Sequence, residues 1–360
     1  MSGRLNMAFD GAVKKTAVRR TPAASVCIPT FNRAGMLKEA IASVLDQTFQ
    51  DFELIVCDNA SEDETEKVVG AFNDNRIAYH RSPSNIGQRP NWNRCLDLAG
   101  GRYIALLFDD DMMMPDNLAE KIAVLEKHPE VGLVHSKFHV VDSGGGMLEP
   151  NTNKPTAGRR ETETREPGRD VLATLLRYNI IHESTVMFRT DCYRKLGGFT
   201  DRLSLAFDWE YWMRIASSYD IAFVAKPLVK WREHSGSLTL ETNRRIARNS
   251  EAAIARMKSD LAGFRWVVET YPSRIPGSQR RELKRELWRQ MGRLVAEFSN
   301  ALLEGGKPKQ EVRKFLAETC RAYPEILIET NLWKSILKSA MSRRSIAALK
   351  RLFRGPGAGD

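Results

Sequence analysis

The order of apolar and polar positions cuts the chain into strand-sized and helix-sized pieces. Ser25 to Pro29 is a short apolar run stopped by proline, and a polar stretch, Thr30 to Arg33, follows it. Apolar residues then return at Leu37, Ala40, Ile41, Val44 and Leu45, the spacing of a helix with one buried face. The same order repeats: Phe52 to Cys57 reads as a buried strand, Asp58 to Asp63 as a polar loop, Thr65 to Phe72 as a helix and Arg76 to His80 as a short strand. Asn85-Ile-Gly87 has turn chemistry, Trp92 to Leu98 is helical, Gly100-Gly101 stops it, and Tyr103 to Phe108 is again a strand. A helix over Asp116 to His128 and a strand over Val131 to Ser136 continue the series. Strands alternating with helices predict a doubly wound α/β layer with parallel strands.

The pattern breaks at residues 143–170, where Gly144-Gly-Gly146 and a charged run from Arg159 to Arg165 read as a mobile loop near the sheet. Order resumes with Val171 to Tyr178, a strand over Ser184 to Phe188, a turn at Gly197-Gly198 and a helix over Asp208 to Ser217. Beyond Arg244 the periodicity is helical, through Glu282 to Leu302, Glu311 to Arg321 and Leu332 to Phe353. Three regions are therefore expected: a disordered basic lead-in (1–21), an α/β body (22–240) and a helical C-terminal region (241–360).

Charge sharpens that division. From Glu241 onward there are 25 Lys and Arg against 13 Asp and Glu, whereas the first 240 residues hold 30 against 32. A basic tail on a neutral body points to an acidic surface as partner, anionic lipid or nucleic acid. Aromatic-basic motifs for nucleic acid are not visible, and the basic residues lie away from the motif-rich body, so no nucleic-acid partner is expected. Between Asn331 and Arg354, apolar and basic positions approximate two faces of one helix, which suits either peripheral membrane contact or packing on neighbouring helices, packing being the commoner use. Five scattered cysteines do not resemble a disulfide framework. No stretch reaches the ~18 apolar residues of a spanning helix. The expected location is the cytoplasm, extending to the inner face of the membrane.

In open α/β sheets ligands bind beyond the carboxyl ends of the strands. Here those ends carry Pro29 to Arg33, Asp58-Asn59 and Asp109-Asp110-Asp111. Three adjacent carboxylates raise one another's pKa unless a cation neutralises them. A hard divalent cation, Mn²⁺ or Mg²⁺, is the simplest one, and it would fill its remaining positions with phosphate oxygens and water; the competing reading is a solvated acidic turn capping the helix near Pro115. Asp58 equally suits an Asx-turn, with Ser61 capping the next helix. Arg89, Asn91 and Asn93 could reach phosphate or base, or simply start a helix. Neither GxGxxG after the first strand nor GxxxxGK[ST] anywhere is present, which argues against a dinucleotide oxidoreductase and a P-loop NTPase.

Taken in order, Cys27-Ile-Pro-Thr-Phe-Asn-Arg33, Cys57-Asp-Asn-Ala-Ser-Glu-Asp63, Asn85-x-Gly87, Tyr103 to Asp111 with Pro115, and Gly197-Gly-Phe199 with Asp208 resemble the motifs of family 2 glycosyltransferases over roughly residues 22–240. The resemblance implies a GT-A type doubly wound mixed sheet flanked by helices. It also implies inverting transfer of a sugar from a nucleotide-diphosphate donor, a UDP-sugar foremost, to a glycan, a lipid-linked sugar or another hydroxyl acceptor. By the same likeness Pro29, Thr30, Phe31 and Arg33 line the nucleotide pocket, Asp58 binds base or ribose, Asp109 faces ribose or diphosphate, and Asp110 holds the metal. Arg89 and Asn93 are counted with the donor site. Anchoring on Pro115 puts Phe108 where the common Asp-x-Asp form has its first Asp, so two adjacent Asp serve instead. Asp208, in Phe207-Asp-Trp-Glu-Tyr-Trp212, matches the family's general base, an N-cap being its bland alternative. His234, in Trp231-Arg-Glu-His234, matches a late residue that reaches metal or diphosphate. His182-Glu183-Ser184 lies near the acceptor side without an assigned place.

Overall fold

The computed structural model describes residues 21–148, 162–176, 178–202, 207–234, 236, 250–271, 277–304 and 306–340. The lead-in up to residue 20 and the end of the expected amphipathic tail, 341–360, lie outside the described residues.

Nine strands form one mixed sheet: β1 Ala24–Thr30, β2 Phe52–Asp58, β3 Ile77–Arg81, β4 Tyr103–Leu106, β5 Met112–Met113, β6 Val131–Val141, β7 Thr164–Glu166, β8 Met187–Arg189 and β9 Asp220–Arg232. Their order is β3-β2-β1-β4-β8-β6-β9-β5, with β7 beside β9. The strands β3, β2, β1 and β4 are parallel, as the alternation predicts. Strand β8 runs antiparallel to both β4 and β6, and β5 and β7 run antiparallel to β9. The sheet is therefore mixed.

Every residue of β1 is buried because helices cover both faces. Val26 and Ile28 join one apolar layer with Leu37, Ile41 and Val44 of α1 (Ala34–Leu45) and with Leu118 and Leu125 of α4 (Asn117–Lys127). Cys27 points the other way, into a layer with Trp92 and Cys95 of α3 (Gln88–Leu98), Leu172 of α5 (Gly168–Leu175) and Tyr211 and Trp212 of α7 (Phe207–Ala216). The two-residue period of a strand is what divides the core in this way. Each Leu or Ile so buried contributes about 1.5–3 kcal/mol. The short helices α2 (Thr65–Gly70) and α6 (Thr190–Leu196) complete the body.

Among the described residues the helices α8 Ser250–Thr270, α9 Gly277–Glu304, α10 Lys309–Ala322 and α11 Thr330–Ala340 follow. They share an apolar core of their own, including Leu261, Met291, Val295, Phe315 and Leu332. They also touch the α/β body, where Tyr271 at the end of α8 donates to buried Glu210 on α7 at 2.7 Å. Leu332 is buried and Ile336 packs beside it, so at the start of the amphipathic stretch the apolar face meets other helices. Among the described residues no helix is long and apolar enough to cross a membrane.

Two expectations change. The 143–170 loop contains β7 and the start of α5, and β6 extends to Val141. The strand expected over Ser184 to Phe188 begins as a 3-10 turn, Glu183–Thr185, and is extended only at Met187–Arg189.

Candidate functional site at the carboxyl ends of the strands

Parallel pairing brings the loops after β1, β2 and β4 to one edge of the sheet. Thr30 and Asp58 face each other as register partners, and the two loops beyond them are stitched together. The amide of Asn32, which has a left-handed φ of 53°, donates to Ser61 Oγ at 2.9 Å. Its side-chain oxygen accepts from Glu62 N at 2.7 Å, and Asp63 accepts from Ala34 N at 2.9 Å. Asparagine tolerates that backbone region better than most residues.

Asp58 is fully buried and its oxygens are engaged within the protein. Oδ1 accepts from the amide and hydroxyl of Ser61 at 2.9 and 2.6 Å, the Asx-turn arrangement, and Oδ2 accepts from Tyr79 OH at 2.6 Å with Arg81 Nε at 3.4 Å. Asn59 is tied to Asn85 and to Ile86 N, both at 2.8 Å. The loop after β2 thus meets the Asn85-x-Gly87 turn.

The three consecutive aspartates have three different surroundings. Asp109 accepts from Thr30 Oγ1 at 2.7 Å, from Phe31 N at 3.3 Å and from Arg33 Nη1 at 3.0 Å. Burial outweighs the Arg33 charge and raises its pKa to about 6. Asp110 Oδ2 meets the same Arg33 Nη1 at 2.5 Å and His234 Nε2 at 3.1 Å. Burial alone would raise its pKa, but the His234 hydrogen bond and the Arg33 charge together hold it below the usual carboxylate value. Asp111 is buried and accepts from Ser184 Oγ at 2.5 Å and from Arg232 N at 2.9 Å, and burial with the Asp110 charge pushes its pKa well up. Arg33 also donates to Gly236 O at 2.9 Å. One guanidinium therefore bridges the β1 loop, two aspartates and the segment after β9. Arg232 fixes that segment from beneath, donating to Asp110 O at 3.0 Å, Ser143 O at 2.7 Å and Glu39 at 2.6 Å.

Asp208 lies in the first turn of α7, buried, with Asn179 Nδ2 at 3.4 Å from Oδ2. Its carboxyl lies within electrostatic reach of that of Glu183. Burial first, then the Glu183 charge, raises the Asp208 pKa well above its ordinary value; burial and the Asp110 charge raise that of Glu183. Ser184, next in the chain, holds Asp111. A single 3-10 turn thereby joins the strand-end aspartates to Asp208.

The structure brings together Thr30, Phe31, Arg33, Asp109, Asp110 and His234, with Pro29 at the end of β1 beneath them. Phe31 is 41% exposed, leaving its ring free at the rim. Arg89, in the first turn of α3, is partly exposed and makes no side-chain hydrogen bond among the described residues. Asn93 has both ends engaged by the Phe199 backbone, at 2.9 and 2.8 Å. A Cβ on Gly198 would stand 2.3 Å from the Asn93 oxygen, which explains why glycine occupies that turn. Sequence reasoning set Glu183 near the acceptor without placing it and gave no role to Asn179 or Arg232, whose partners lie between 29 and 193 residues away.

A mixed sheet of this order, with acidic loops converging beyond β1, β2 and β4, has the architecture of a GT-A glycosyltransferase. The model of the glycosyl transferase family 2 matches residues 25–190. The chain is 31% identical over 198 residues to the putative glycosyltransferase EpsE of Bacillus subtilis, covering 54% of this chain and 66% of that protein. It is 24% identical over 219 residues to an uncharacterized glycosyltransferase of Rickettsia typhi, 61% of this chain and 66% of the other. The chain spans about two thirds of the length of these relatives. Staphylococcus aureus TarS 1-349, solved in complex with UDP-GlcNAc, superposes with a TM-score of 0.54 at 18% identity, covering 87% of this chain and 90% of that one. Residues 25–190 carry a glycosyl transferase family 2 domain, the mark of a transferase enzyme.

Proposed function

We propose that the protein transfers a sugar, with inversion, from a nucleotide-diphosphate donor to a hydroxyl acceptor, with Asp208 as general base. One observation carries this reading: Ser184 Oγ donates to Asp111 at 2.5 Å while Glu183, next in the chain, lies within electrostatic reach of both Asp110 and Asp208, so the strand-end acids and the candidate base flank one 3-10 turn. Inversion needs a single carboxylate on the acceptor side, placed opposite the leaving group.

On the donor side, Pro29, Thr30, Phe31 and Arg33 line the nucleotide pocket, with Asp58, Arg89 and Asn93 around it and Asp109 toward ribose or diphosphate. Asp58 and Asn93 act through the loops they hold, given how fully their polar atoms are used. The UDP-GlcNAc complex of the TarS neighbour supports a UDP-sugar as the first donor to test.

The residues at Asp110 fit a divalent cation. A carboxylate oxygen and an imidazole nitrogen already converge at 3.1 Å, and the Arg33 guanidinium stands against the same oxygen as a cation in waiting. Among the described residues no third His, Cys, Asp or Glu joins them, and Mn²⁺ or Mg²⁺ with one or two protein ligands takes the rest from phosphate and water. Asp110 and His234 would hold it, and its charge would stabilise the departing diphosphate. Asp208, for its part, receives the acceptor's proton as the hydroxyl oxygen attacks. Acceptors of the class expected are glycans and lipid-linked sugars.

The test is Asp208→Asn. Transfer should fall by about 10²–10⁴-fold, the usual weight of a general base, while calorimetry shows UDP and Mn²⁺ still binding. Wild-type turnover in that variant would remove Asp208 from the mechanism.

A further inference from the structure

We propose that Arg33 makes cation binding at Asp110 conditional on the nucleotide: its guanidinium occupies the carboxylate until a diphosphate draws it away, and only then is Asp110 open to a divalent ion. The inference rests on the proposed donor site, with Asp110 and His234 as the ion's ligands.

The contacts of Arg33 are those of a stand-in cation. Nη1 lies 2.5 Å from Asp110 Oδ2 and 3.0 Å from Asp109 Oδ1, and Nη2 donates to Gly236 O at 2.9 Å. The oxygen that Nη1 meets is the one that faces His234 Nε2 at 3.1 Å, so the guanidinium and an ion held by Asp110 and His234 would claim the same atom. The side chains of Arg33, Asp110 and His234 are only 21%, 16% and 6% exposed, and in such surroundings water and salt screen like charges poorly. An ion arriving alone would therefore be set against a positive charge already in place.

The exchange leaves no group stranded. When Arg33 withdraws, Asp109 keeps Thr30 Oγ1 at 2.7 Å and Phe31 N at 3.3 Å. Asp110 keeps His234 and gains the ion, and the carbonyl of exposed Gly236 meets water. The backbone at Arg33 need not move, because Asn32 before it is tied to Ser61 and Glu62 and Ala34 after it donates to Asp63 at 2.9 Å; the guanidinium changes partners by side-chain rotation. A diphosphate suits it as the new partner, since its planar fork pairs with phosphate oxygens in two-point contacts. Charge stays matched: the arginine passes from carboxylate to diphosphate as the ion takes its place. By reciprocity, the nucleotide tightens the ion's binding by the same factor as the ion tightens the nucleotide's.

Mn²⁺ binding to the full chain, read as loss of the free-ion electron paramagnetic resonance signal, tests this without a known acceptor. Wild type should bind Mn²⁺ weakly in the absence of nucleotide. Arg33→Gln and Arg33→Ala should each bind it about tenfold or more tightly under the same conditions, within the usual range of coupling between sites. The gain should vanish in the double variant Arg33→Gln/Asp110→Asn, because Asp110 is where the two cations compete. Neutral variants that bind Mn²⁺ alone no more tightly than wild type, while UDP still recruits Mn²⁺ to the wild-type chain beyond what UDP chelates in solution, would overturn the role of Arg33 and leave the donor site standing. A wild-type chain that takes up no Mn²⁺ even with UDP, or a gain that survives Asp110→Asn, would instead overturn the cation assignment at Asp110 and the inference with it.

Discussion

Replacing Lys121 with methionine should stabilise the protein. Lys121 lies on α4 with no exposed surface, among Leu118, Ile122 and Leu125, and its Nζ has no hydrogen-bond partner among the described residues. Burial alone lowers its pKa from 10.5 to about 7. At about 1.4 kcal/mol per tenfold change in proton affinity, the fold carries a penalty on the order of 4 kcal/mol at pH 7. The sign follows from linkage: the unfolded chain binds the proton more tightly, so stability rises with pH from about 7 to 10.5 and is lowest, and flat, below about 7 as far as this group is concerned. Methionine keeps the volume and removes the charge. Urea unfolding of the two chains across that range should show the variant more stable at neutral pH, with the gap closing as pH approaches 10.5. A variant less stable than wild type at neutral pH, or a gap independent of pH, would refute the reasoning.

Asp110→Ala should abolish the Mn²⁺-dependent part of the thermal shift produced by UDP, because only His234 would remain of the two converging ligand atoms. A shift unchanged by the substitution would separate Asp110 from the cation. Tyr271→Phe leaves Glu210 with Arg214 and Thr200 but removes the hydrogen bond from the residue after α8, and should cost about 0.5–3 kcal/mol, the range for one lost hydrogen bond whose acceptor keeps other partners. Chemical denaturation followed by tryptophan fluorescence measures it.

The parallel half of the sheet was legible because β1, β2 and β4 are continuous apolar runs ending in polar loops. The antiparallel half was not. Strand β8 contains three residues, and its pairing with β4 and β6 depends on partners more than fifty residues earlier in the chain, for which no local pattern exists. Strand β9 includes Lys226, Pro227 and Lys230, which blur a strand signal that its long pairing with β6 overrides. At the site, Asp109 and Asp110 stood out as charges at the end of a buried strand, and Asp208 through its resemblance to the family's general base. Glu183 did not, since a glutamate before a short strand is unremarkable until the chain returns 25 residues later with Asp208. Asn93 and Asp58 were legible as polar residues at the right edge, but the sequence could not show that their hydrogen-bonding capacity is spent on Phe199 and on Ser61 and Tyr79.

The acidic triplet is best understood as three separate devices that happen to be adjacent. A strand end turns its successive side chains in different directions, so each carboxylate meets different partners and burial divides their proton affinities. Asp109, at about 6, anchors the β1 loop through Thr30 and Arg33. Asp111, raised well above the carboxylate range, ties Ser184 and β9 to the sheet. Asp110 alone is held low, by His234 and Arg33. Burial thus raises two members of the triplet, while Arg33 and His234 hold the middle one low. On the proposed reading, the donor complex must compete with Arg33 for Asp110, and the guanidinium so released is already beside Thr30 and Phe31, within the pocket whose diphosphate it can meet.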